Sequence, residues 1–88
     1  MKKIEADAQL ALIRESEIYL RIGYAKAFNI KDLYSLKITY QTLRVRNRGF
    51  QPYINVVGPR IQSTLTPQGA IAYVALTNDT RVLWQGLS

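Results

Sequence analysis

Of the side chains able to do chemistry, this 88-residue chain offers chiefly arginine. Arg44, Arg46 and Arg48 alternate with other residues in the stretch Leu43-Arg44-Val45-Arg46-Asn47-Arg48-Gly49-Phe50-Gln51-Pro52-Tyr53. On a strand, residues i, i+2 and i+4 share a face, so the three guanidinium groups are expected as one cationic row; on a helix Arg46 would point away from the other two. A guanidinium is a planar five-donor fork suited to phosphate oxygens, and aromatics beside it can stack on unpaired bases or buttress the cations. The residues nominated for a nucleic-acid interface are therefore Arg44, Arg46 and Arg48, with Lys37 and Arg60 as outriders and Phe50 and Tyr53 as stacking candidates. Asn47 and Gln51 carry amides that could reach base edges. The same residues also admit a purely structural reading, with the aromatics in the core and the arginines on a solvated edge strand that resists edge-to-edge aggregation.

Other chemistries lack their parts. The chain has no histidine and no cysteine. That removes the usual zinc sites, histidine-ligated haem, disulfides, thiol nucleophiles and every Ser-His or Cys-His arrangement. Paired-carboxylate catalysis would have to draw on Glu15, Glu17 and Asp32, and Glu15 and Glu17 diverge on a helix, as solvated face residues do. Gly49, Gly58 and Gly69 stand alone at turns and make no phosphate-cradling loop. The expectation is a protein that is not an enzyme, with no catalytic residues, no cofactor and no metal.

A net charge of +6 is spread unevenly. Carboxylates occur at Glu5, Asp7, Glu15, Glu17, Asp32 and Asp79, so Leu33 to Asn78 contains none while holding Lys37, Arg44, Arg46, Arg48 and Arg60. A field of one sign attracts polyanions and makes that attraction salt-dependent. The early acids Glu5 and Asp7 are wrong for a signal peptide, and the longest apolar run, Ala70 to Leu76, is far short of a membrane span. The expectation is a soluble, cytoplasmic protein with no membrane partner, of a size that fits a small prokaryotic or viral gene product.

The elements that must position these residues follow from periodicity. One domain spans 1-88, with room for a single core. From Lys3 to Ala11 the pattern is helical, with Ile4, Ala8, Ala11 and Leu12 on one stripe; a 3.6 period continues as one long helix to about Phe28 with Asn29 as the stop. The strict alternation of Ile18, Leu20, Ile22 and Tyr24 would instead fit a strand or a break near Ser16. Asn29 to Leu36 is a connector or short helical turn. From Lys37 the residue types favour strand, and the apolar phase slips between Ile38-Tyr40-Thr42 and Leu43-Val45, which a bulge near Thr42 would reconcile. After the turn at Asn47-Arg48-Gly49, strand-length runs are separated by Gly58-Pro59, Thr66-Pro67-Gln68-Gly69 and Thr77-Asn78-Asp79-Thr80; among them are Tyr53 to Val57, the alternating Arg60 to Leu65, the apolar Ala70 to Leu76, and Arg81 to Leu87. The fold class expected is α+β: an N-terminal helix followed by a small antiparallel β-meander.

A second architecture competes. Thr66-Pro67 is also a helix start, an N-cap followed by proline at the first helical position, which would make Pro67 to Leu76 a helix. Tyr24 to Phe28 and Ile38 to Arg48 would then form a helix-turn-helix pair and Phe50 to Leu65 a wing hairpin. The order Arg48-Gly49-Phe50, a hairpin, then Leu65-Thr66-Pro67-Gln68-Gly69 is similar to winged-helix regulators, over residues 38 to 69. That resemblance implies a winged helix-turn-helix transcriptional regulator that binds DNA through a recognition helix ending near Gly49. Gln41 departs from the pattern, standing where an apolar residue is expected.

The C-terminal runs put apolar residues on both faces of a two-strand unit, more than one small core can cover. Trp84, Leu87 and Leu83 are the candidates for an interface, and a homo-oligomer is expected. The leading functional expectation is a non-catalytic nucleic-acid-binding protein, DNA or RNA, using the central basic segment. The rival is a protein-protein interaction or assembly module without a nucleic-acid ligand.

Overall fold

The computed structural model describes residues 1–77. Two helices, α1 (Lys3–Glu15) and α2 (Glu17–Ala27), are followed by a short 3-10 turn (Leu33–Ser35), then by strands β1 (Lys37–Val45), β2 (Gly49–Val57) and β3 (Gln62–Leu65), and by helix α3 (Pro67–Ala75). The sheet is antiparallel in the order β1-β2-β3. The fold is thus α+β, with N-terminal helices and a small antiparallel meander, as the strand-favouring chemistry beyond Lys37 requires.

The helical stretch breaks at Ser16, where the amide donates to Ile13 O at 2.9 Å and the carbonyl accepts from Tyr19 and Leu20 to start α2. Helix α2 stops where Asn29 adopts a left-handed φ of 55°. Ile30 then donates back to Ala25 O at 2.8 Å, the six-to-one bond of a Schellman C-terminus, and Ile30 packs against the core beside it.

The helical period of α1 is as expected, but the face it buries is the opposite one. Ala6, Leu10 and Ile13 are buried, whereas Ile4 is 76% and Leu12 65% exposed. Two apolar stripes share this helix, and the one that faces inward packs Leu10 and Ile13 into the core cluster, with Asp7 beside it accepting a hydrogen bond from Thr42 of β1 at 2.6 Å. Ile4, Ala8, Ala11 and Leu12 are then left facing outward.

Pairing of β1 with β2 runs unbroken from Lys37↔Val57 to Val45↔Gly49, so there is no bulge at Thr42. Strict alternation then puts Ile38, Tyr40 and Thr42 opposite Val56, Ile54 and Pro52 on the helix-covered face. Leu43 and Val45 fall on the other face, and Leu43 is left 46% exposed. The apolar phase slip is real, and the chain resolves it by exposing a leucine.

Residues 67 to 75 are helical, which corrects the strand expected over Ala70 to Leu76. Thr66 Oγ1 accepts from the Gly69 amide at 3.2 Å, and Pro67 occupies the first turn, where a missing N–H costs nothing. The winged-helix expectation is corrected too: Ile38 to Arg48, which it needs as a recognition helix, is strand β1 and the turn after it. Gln41 then needs no apolar environment, because it lies on an exposed strand face. The run Arg81 to Leu87, with Trp84, Leu83 and Leu87, lies outside the described residues.

Leu10, Ile13, Leu20, Tyr24, Ala25, Leu36, Ile54, Val56 and Ala70 form the core between the helical layer and one sheet face. Tyr24 is fully buried, with its hydroxyl 2.8 Å from Ser63 Oγ of β3 and its ring 4.6 Å from Phe28 and 5.1 Å from Tyr73. Helices α2 and α3 cross closely at Gly23, where an added Cβ would lie 1.7 Å from the Tyr73 carbonyl oxygen. The molecule is thin, 39 × 34 × 16 Å, as one helical layer on one sheet demands. Among the described residues no helix is long and apolar enough to cross a membrane.

Candidate nucleic-acid interface

The alternation of arginines does not survive as a row. Strand β1 ends at Val45, so Arg44 alone is in the strand, while Arg46 and Arg48 belong to the turn 46-48 that joins β1 to β2. The turn closes with the Arg48 amide on Val45 O at 3.0 Å, and it needs left-handed backbone at Asn47 (φ 67°) and Gly49 (φ 70°). Asparagine and glycine are the residues that accept this conformation most readily. All three arginines are exposed at this tip, and none has a carboxylate within 4.0 Å among the described residues. Arg44 and Arg46 line a shallow concavity of about 440 Å³ with Val45, Asn47 and Gly49. The result is a cationic hairpin tip in place of a cationic strand face.

Sequence reasoning missed what holds this tip. Met1 pairs with the free edge of β2: its carbonyl accepts from the Phe50 amide at 2.9 Å and its nitrogen donates to Arg48 O at 2.9 Å and Phe50 O at 3.2 Å. The exposed Lys2 follows directly, so another cation is tethered next to the tip. Contacts across 47 residues leave no local signal. Gln51, expected as a base reader, donates its amide to Arg48 O at 2.9 Å and braces the turn. Asn47 likewise serves the turn through its φ.

The remaining candidates divide between the two faces and the far end. Phe50 opposes Arg44 on the face that carries the helices further along, and it is half-buried. Tyr53 is half-buried on the open face, opposite Gln41. Neither aromatic belongs to the core cluster. Lys37 opposes Val57, and Arg60 is exposed in the turn that begins just after it, so both sit at the end of the sheet away from the tip. A strand rise of about 3.3 Å per residue puts roughly 25 Å between the two cationic ends.

Three carboxylates of the N-terminal half, Asp7, Glu17 and Asp32, are engaged in structure, while Glu5 and Glu15 are exposed. Glu17, expected as a solvated residue, is half-buried, accepts from the Tyr40 hydroxyl at 2.7 Å and lies 3.6 Å from Arg21 Nη2. Burial, then the hydrogen bond to Glu17 and its charge, push the Tyr40 phenol up, against the opposing cations Arg14 and Arg21. Arg14 lies over the Tyr40 ring at 4.7 Å. The Asp7 carboxyl is held below its ordinary value, first by the Thr42 hydroxyl and, against a small desolvation penalty, by Lys3 at 3.3 Å. No group of three or more acidic side chains that could hold a metal ion occurs among the described residues. Comparison with protein-family models, curated proteins and solved structures gives no match.

Proposed function

We propose that this protein is a non-catalytic nucleic-acid-binding module that meets phosphates with its β1–β2 hairpin tip. The observation that carries the reading is the exposure of Arg44, Arg46 and Arg48 at one tip, without carboxylate partners among the described residues and within a segment that has no acids from Leu33 to Asn78. A protruding hairpin with an unneutralised charge is shaped to reach a phosphate backbone, and the counterions released there supply affinity without sequence information. Arg44→Ala, Arg46→Ala and Arg48→Ala together should flatten the slope of log K against log salt by about 2–3, if each side chain meets one phosphate. No binding of a random oligonucleotide at low salt, or an unchanged slope, refutes it.

A second reading, an assembly module, has its own observation. The outward stripe of α1 exposes Ile4 and Leu12 at 76% and 65%, more than isolated surface leucines require. Self-association through this stripe would multiply the cationic tips. Leu12→Glu should then lower the mass measured by light scattering, and a monomer before and after the substitution removes this reading.

A further inference from the structure

We infer that the nucleic acid is single-stranded and runs along the open face of the sheet, with a base stacked on Tyr53. This rests on the nucleic-acid reading above and goes further, to the strandedness of the ligand and the surface that holds it. Strict alternation along β1 and β2 sends Ile54 and Val56 into the core and Tyr53 and Asn55 to the opposite side. No described helix lies on that side, and Thr39, Gln41 and Thr64 are exposed there.

The composition of the face selects the occupant. Among the described residues it carries no carboxylate. Among the described residues its hydrogen-bonding groups are neutral amides and hydroxyls, including Thr39, Gln41, Asn55 and Thr64, the last donating to Asn55 Oδ1 at 3.0 Å, and Tyr53 is the one aromatic ring. Cations bracket it: Arg46 and Arg48 in the turn at one end, with Arg44 beside them on the opposite face of β1, and Lys37 and Arg60 at the other. A polyanion spanning the face meets positive charge where it enters and where it leaves. Between those points it meets uncharged donors and acceptors and a π-surface, which serve exposed base edges and base faces. Bases stacked in a duplex hide their faces from such a ring, so the π-surface of Tyr53 favours an unpaired strand. The face is about 25 Å long, room for roughly four nucleotides, the lower end of single-strand site sizes.

Fluorescence anisotropy at low salt, with labelled oligo-dT of twelve nucleotides and a duplex of twelve base pairs as probes, tests this. The single strand should bind at least about tenfold more tightly than the duplex, and Tyr53→Leu should cost the single strand roughly tenfold while Tyr53→Phe retains its affinity. Gln41→Glu is a second variant that needs no repacking, since Gln41 is exposed and its side chain makes no hydrogen bond to the described residues; a carboxylate there should weaken the single strand several-fold. Duplex binding as tight as single-strand binding, or single-strand affinity unmoved by both Tyr53→Leu and Gln41→Glu, overturns this inference alone. Failure of both probes to bind overturns it together with the reading on which it rests.

Discussion

The two faces of one three-stranded sheet have opposite characters, although they are built from alternate residues of the same strands. On the covered face Pro52, Ile54 and Val56 are buried against the helices. On the open face Gln51, Tyr53 and Asn55 are half-buried, and Leu43 and Val57 are exposed. A period of two divides the nine residues of β2 between a buried face and an open one, so their side chains answer to different environments. The sheet's stability comes from one side, and its surface chemistry is free on the other.

Substitutions that sort by face test this contrast most strongly. Ile54→Ala should cost about 2–5 kcal/mol, read from the urea midpoint, because it opens a cavity among fully buried neighbours. Gln41→Ala on the open face should stay within about 0.5 kcal/mol. Equal losses at the two positions would mean that the open face is covered after all. In the layer above, Gly23→Ala should cost about 1–3 kcal/mol or more, since the new methyl meets the Tyr73 backbone 1.7 Å away and one helix must move. A thermal midpoint unchanged by that substitution would show that α2 and α3 do not cross there.

The smallest effect concerns the link between the sheet's rim and α1. Asp7 is lowered from 3.8 by the Thr42 hydroxyl first, so the deprotonated form is favoured in the fold. A group depressed in this way adds stability above its unfolded value and loses it as pH falls through the folded one. Thr42→Val should let the Asp7 midpoint rise toward 3.8 in a carboxyl-detected NMR titration and remove that part of the acid dependence. A midpoint that stays put would mean that Lys3, not Thr42, holds the carboxylate.

Much of this arrangement is legible in the sequence where the signal is local. The turn at Asn47 and Gly49, the stop at Asn29 and the strand chemistry from Lys37 each depend on residues within a few positions of the event. The apolar run Ala70 to Leu76 carries no period, and there the cap and proline of Thr66-Pro67 were the better guide to helix. Alternation alone overextended the arginine row, because the turn residues that end β1 take Arg46 and Arg48 with them. Helix α1 shows the limit differently: Ile4-Ala8-Leu12 and Ala6-Leu10-Ile13 are both sound stripes, and only packing with distant residues, such as Leu10 and Ile13 with Ile54 and Val56 in one core, decides which goes inside. The docking of Met1 beside Phe50, which stations Lys2 near the tip, has no local trace at all.

The most direct test of a cationic tip that feeds an open sheet face is the map of backbone amide NMR shifts as oligo-dT of twelve nucleotides is added at low salt. Shifts should concentrate at 44-48 and on the open face around Thr39, Gln41, Tyr53 and Asn55, with Leu20, Tyr24 and Ala70 in the core undisturbed. Shifts confined to the outward stripe of α1, or none anywhere, would contradict the account.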